Sequence, residues 1–108
     1  MAVSQAVLSD TFPSEVLEAK EPVLVDFWAT WCPPCRALAP VVDGLREEYV
    51  GRVKVVKLDT DRAPDIAVQY EVRSIPTLIL FKDGRPVDRW VGVRPRSEYA
   101  RALDQLLS

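Results

Sequence analysis

The sequence predicts an α/β fold in which a mixed β-sheet is covered by helices on both faces. Three observations carry that reading. Strand-like apolar runs alternate with helical patterns along the chain; the first full run is apolar on both faces instead of at every second position, save for one acid; and the last two runs are joined by Asp83-Gly84, a hairpin turn signal. At 108 residues, with 48% hydrophobic content, the chain suits one domain over residues 1–108 and leaves no room for a second.

The elements follow in order. A short apolar stretch lies around Val3 to Leu8, after which Ser9 or Asp10 is expected to cap a helix that buries Phe12, Val16 and Leu17. Pro22 to Ala29, PVLVDFWA, is a continuous apolar strand of the kind buried on both faces, with one acid, Asp26, in its middle. From Pro33 the period becomes helical: Leu38, Val41, Val42, Leu45 and Tyr49 recur on one face, Pro40 is expected to kink the helix, and Gly51 to end it. VKVVKL at 53–58 is the next strand, Ala63 to Tyr70 a short helix, and an irregular stretch leads to Pro76. TLILF at 77–81 and Val87 to Val91 make the hairpin, and a last amphipathic helix carries Tyr99, Ala102, Leu103 and Leu106.

Composition narrows the function. Lys and Arg total 14 against 16 Asp and Glu, a net charge of -2 with no basic block, which argues against a nucleic-acid partner. The N-terminal stretch has no secretory pattern, and no apolar segment approaches the roughly 20 residues that span a bilayer, so a cytoplasmic chain without membrane contact is expected. In a reducing compartment, cysteines separated by two residues point to catalysis or metal binding before structural bonding. The chain has no His, which leaves proton transfer to carboxylate, Lys, thiol or water.

The decisive segment is WCPPC at 31–35, where a buried strand hands over to a helix. At the helix N-terminus the macrodipole and the unpaired N–H groups favour an anion, so Cys32 is expected to be the nucleophile; Cys35, one turn inside and less exposed, resolves the mixed disulfide. An ordinary thiol, with a pKa of about 8.5, is only a few per cent ionised at neutral pH, so this stabilisation matters. An inert cysteine pair in a core is the plain alternative. A metal is not expected, because zinc takes four ligands and one chain offers two thiols and no His, so an ion would have to bridge two chains.

DFWATWCPPCR at 26–36, SIPTLILFKDG at 74–84 and VGV at 91–93 resemble the thioredoxin family, and the match runs from about residue 5 to the end. The resemblance implies the thioredoxin fold: a central five-stranded mixed sheet flanked by four α-helices. It implies a monomeric thiol–disulfide oxidoreductase that binds no cofactor itself, reduces disulfide-containing proteins, and is recharged from NADPH by a flavoprotein thioredoxin reductase. Asp26 matches the family's buried acid, a proton acceptor for Cys35, with a hydrogen-bonded structural carboxylate as the plainer reading. Lys57 matches the lysine that tunes that acid. Pro76 matches a proline preceded by a cis bond, here from Ile75, and would otherwise simply end a loop. Trp31, Ile75, Val91 and Gly92 correspond to an apolar rim that meets protein substrates, with Trp28 packed in support. Pro33 stands where the family usually has Gly; with Pro34 it shapes the motif and is expected to alter redox poise. Two other functions remain open on the same residues: a less reducing disulfide oxidant or exchange partner, and a binding module that uses the rim without electron transfer.

Overall fold

The computed structural model describes residues 5–108; the start of the expected apolar stretch, Val3, lies outside them. Four full strands, β2 (Val23–Trp28), β3 (Lys54–Asp59), β4 (Thr77–Lys82) and β5 (Arg85–Val91), and a two-residue edge strand, β1 (Gln5–Ala6), form a sheet in the order β1-β3-β2-β4-β5. β1 and β2 run parallel to β3, and β4 runs antiparallel to β2 and β5, so the sheet is mixed. Among the described residues three α-helices cover it: α1 (Pro33–Glu48), α2 (Pro64–Gln69) and α3 (Arg96–Leu107).

The packing of β2 and β4 explains why their sequences are apolar on both faces, with Asp26, Thr77 and Lys82 as the exceptions. Val23, Val25, Phe27, Ile79 and Phe81 face a core with Phe12, Val16 and Ile66, whereas Leu24, Leu78 and Leu80 face a second core with Leu38, Val42 and Leu45 of α1 and Tyr99 and Leu103 of α3. Both faces of the central strands are therefore dry, and alternation disappears from the sequence.

The first helix departs from expectation. Instead of an α-helix capped by Ser9 or Asp10, Pro13–Leu17 forms a wide turn closed by Glu18 N–H donating to the Pro13 carbonyl at 2.9 Å, preceded by Phe12 without a side-chain cap. The Ser9 hydroxyl is drawn away to Asp65, and Thr11 Oγ1 takes the Leu8 N–H instead. Phe12 and Val16 are buried as expected, and Leu17 packs at the margin.

α1 runs through Pro40 but stops at Glu48, before Gly51. Arg52 and Val53 N–H both bond the Tyr49 carbonyl, so the chain turns around Tyr49, and Gly51 with φ 84° serves the turn. At the hairpin, Asp83 and Gly84 both take positive φ, 54° and 78°, as the turn type requires, and β5 begins at Arg85, two residues earlier than expected.

Gly84 has a second constraint: a Cβ there would stand 2.9 Å from the Leu17 carbonyl oxygen. Gly84→Ala is therefore expected to destabilise the fold by about 2 kcal/mol, combining an unfavourable φ with a backbone clash. Urea unfolding checks this, and a variant as stable as the parent would contradict the packing described.

Candidate active site

β2 ends at Trp28, and after four connecting residues, 29–32, the chain enters α1 at Pro33, so the helix mouth sits at the C-terminal end of a strand that is buried from Val23 to Phe27. Cys32 is the residue before the first helical turn, with φ -102° and ψ 103°, and its Sγ accepts the Cys35 N–H at 3.2 Å. The two cysteines are joined as a disulfide, with Cα atoms 5.3 Å apart. Pro33 and Pro34, between them, carry no N–H, so the Cys35 N–H is the first that α1 offers.

Cys32 is 2% exposed and Cys35 4%, so the expected difference in exposure is absent. Trp28 and Ile75 pack against the cluster of Ala29, Cys32 and Cys35. What distinguishes the two is the backbone donor aimed at Cys32.

Asp26 lies on the sheet face that carries α1 and α3, 2% exposed, between Lys57 of β3 and Leu78 of β4. Its Oδ1 has no protein partner. Burial pushes the carboxyl up to about 7; the Lys57 cation pulls it down, and the Asp43 carboxylate on α1 adds to the rise. The Lys57 ammonium lies over the Trp28 ring, 4.5 Å from its centroid, and among the described residues it forms no ion pair with Asp26.

The Ile75–Pro76 peptide bond is cis, and the Ile75 carbonyl oxygen is 3.8 Å from Cys32 Sγ. Thr77 Oγ1 donates to the Ser74 carbonyl at 2.6 Å, and Gly92 N–H donates to the Pro76 carbonyl at 2.8 Å, which ties the Val91–Gly92 segment to this turn. Trp31 projects from the site, 64% exposed, and Val91 is 47% exposed. Among the described residues, no group of three or more His, Cys, Asp or Glu is gathered to hold a metal.

Three contributors escape a reading by motif. Asp61 accepts the Trp31 indole N–H at 2.8 Å and is itself held by the Asp59 carboxylate, a short Asp-x-Asp pattern that is the only local signal for it. Asp43 lies two turns beyond Cys35 on the same helix, a spacing that places it toward Asp26. Tyr99, expected as core, also accepts the Arg94 N–H through its hydroxyl at 3.2 Å and so fixes the loop after Gly92.

A family model described as "Thioredoxin" matches residues 3–105. Thioredoxin 1 of Synechococcus elongatus is 55% identical over 107 residues, covering 99% of this chain and all of that protein. A thioredoxin of Synechocystis is 50% identical over 107 residues, again at 99% and 100% coverage. The chloroplastic M-type thioredoxin of Spinacia oleracea is 46% identical over 104 residues, 96% of this chain and 58% of that protein.

The raised carboxyl has a signed consequence for stability. An ordinary Asp, at 3.8, ionises in the unfolded chain while Asp26 keeps its proton in the fold to about 7. The native state therefore binds the extra proton within that window, and stability falls as pH rises through it, by roughly 4 kcal/mol in all, then levels off. Asp26→Asn abolishes the titration. Its stability relative to the parent, measured by urea unfolding, is expected to improve steadily from about pH 4 to about pH 7 and to change little above; a pH-independent difference would show that Asp26 titrates normally.

Proposed function

The chain belongs to the thioredoxin family and is a thiol–disulfide oxidoreductase that reduces protein disulfides; we propose that Cys32 is its nucleophile and Cys35 its resolving thiol. The observation that carries this assignment is the Cys35 N–H donated to Cys32 Sγ at the mouth of α1. A backbone donor and a helix dipole aimed at one sulfur stabilise that sulfur as the thiolate.

The steps balance as follows. The Cys32 thiolate attacks one sulfur of the substrate disulfide; that S–S bond breaks, and the other substrate sulfur leaves as a thiolate that takes a proton from water. Cys35 then loses its proton to Asp26 through a bridging water and attacks Cys32 Sγ, which expels the second substrate sulfur. Two electrons pass to the substrate, and Cys32–Cys35 is left oxidised. Asp26 suits this task because a carboxyl that titrates near 7 accepts a proton at neutral pH and releases it again. Lys57 tunes that acid from beside it.

Trp31, Ile75, Pro76, Val91 and Gly92 form the rim for the substrate, with Trp28 in support. This reading is supported by the 3.8 Å separation of the Ile75 carbonyl oxygen from Cys32 Sγ, since a segment lying along Ile75 has its sulfur over the nucleophile. Cys32-Pro33-Pro34-Cys35 is an active-site variant, with Pro33 as the residue that sets its poise. The reading extends to a cytoplasmic setting and to NADPH electrons delivered by a flavoprotein thioredoxin reductase, supported by family membership and by a sequence with only the two active-site cysteines.

Cys32→Ser is expected to lose reduction of insulin disulfides altogether, whereas Cys35→Ser is expected to stall as a mixed disulfide visible by mass spectrometry without reductant. Full activity in the Cys32 variant would overturn the mechanism. In a separate measurement, single-turnover resolution of the mixed disulfide in the parent is expected to rise with pH and inflect near Asp26's value of about 7. Asp26→Asn is expected to slow this step by about tenfold to a hundredfold near neutrality and to remove the inflection.

A further inference from the structure

The rim of the disulfide carries cations where its apolar residues leave off. Arg36 follows Cys35, Arg73 stands two residues before Ile75, Arg94 stands two after Gly92, and all three are exposed. Two are folded back onto the site: Arg36 Nη1 donates to the Thr30 carbonyl at 2.7 Å, and Arg94 Nε to the Val91 carbonyl at 3.4 Å. Thr30 adjoins Trp31, and Val91 belongs to the rim itself. Arg73 enters no hydrogen bond or ion pair among the described residues. Two acids lie close by: Asp61, which accepts the Trp31 indole N–H, and Glu98, 3.5 Å from Arg94, so a substrate carboxylate must displace Glu98 to pair with Arg94. This ring runs against a net charge of -2, so it is a local concentration and not an overflow of a basic chain.

We propose that the site prefers protein disulfides whose reacting cysteine lies in an extended segment with apolar neighbours and Asp or Glu just beyond them, the carboxylates pairing with Arg36, Arg73 and Arg94. The inference rests on the reductase reading and deepens it to a substrate class. A guanidinium presents a planar fork that matches a carboxylate, and two of these three are already held by backbone carbonyls, which lowers the ordering cost of each pair. Single exposed pairs contribute little, yet three cations around one mouth steer encounter and exclude cationic partners. Such a preference acts through approach and capture and leaves the sulfur chemistry unchanged.

The test uses the full chain, reduced beforehand with dithiothreitol and freed of it, and two synthetic peptides with one disulfide in an identical apolar loop. One peptide is flanked by Asp and Glu, the other by Lys. At low salt the acidic peptide is expected to be reduced at least about fivefold faster by kcat/KM, and this ratio is expected to collapse toward one in about 0.5 M salt. Arg73→Glu is expected to lower the ratio, and the triple change at Arg36, Arg73 and Arg94 to invert it. Equal rates for both peptides at low salt, or a preference that survives the triple change, would overturn the inference while leaving the reductase reading intact. Reduction of neither peptide would remove both.

Discussion

From Val23 to Phe27, every residue of β2 is 2% exposed or less, because β3 and β4 flank the strand and a core closes on each of its faces. The reactive groups depend on that enclosure. It delivers α1 from a fixed point, so that Cys32 arrives at the helix mouth and not somewhere on a mobile loop. It also places Asp26 where water cannot solvate a charge, which is what lifts its carboxyl. One strand thus supplies both the position of Cys32, the proposed nucleophile, and the environment of the acid beneath it.

The placement of Lys57 decides how far that lift goes. Register sets Lys57 directly beside Asp26 in the parallel pair, where a full ion pair would be the simplest outcome. Its ammonium instead lies over the Trp28 ring, which keeps its attraction but not a direct bond to the carboxylate. A bonded ammonium would hold Asp26 ionised through neutral pH, and an isolated apolar pocket would keep it protonated. Between those limits the carboxyl can both take and release a proton near neutral pH, as the role proposed for it requires. The half-buried Trp28 therefore serves the acid indirectly, by giving the lysine another place to rest.

How much of this was legible follows from the range of the interactions. The continuous apolar run of β2 predicts burial on both faces, Asp83-Gly84 predicts the hairpin, and proline after Cys32 predicts a helix start, because each is a local rule satisfied within a few residues. The first helix failed to follow its local caps because Ser9 is engaged by Asp65, 56 residues away, which no window of sequence contains. α1 stops at Glu48, short of Gly51, because Arg52 and Val53 N–H turn back onto the Tyr49 carbonyl, and the Tyr49 side chain is held there by Asp104 of α3, 55 residues away. At the site, the cysteines and the buried acid were readable from type and spacing. Their near-equal burial was not, since one of the two residues packed against them, Ile75, is 43 residues distant from Cys32. Asp61 and the hydroxyl of Tyr99 were missed for the same reason: each acts on a neighbour that only the fold supplies.

The two prolines between the cysteines bear on why the pair is asymmetric at all. In an ordinary helix the first-turn N–H groups share whatever acceptor or water is at hand. Here the first two positions of α1 have none to give, and the third, Cys35, donates to Cys32 Sγ, while Arg36 N–H already closes the first backbone bond to the Cys32 carbonyl at 3.2 Å. The orphan donor of that turn is thus committed to a single sulfur. A hydrogen bond to a charged acceptor contributes roughly 1.5–3 kcal/mol, enough to separate two chemically identical thiols by one or two orders of magnitude in thiolate population. With exposure nearly equal at the two positions, this bond and the helix dipole together provide the discrimination that burial does not, and the order proposed for the two sulfur steps rests on it.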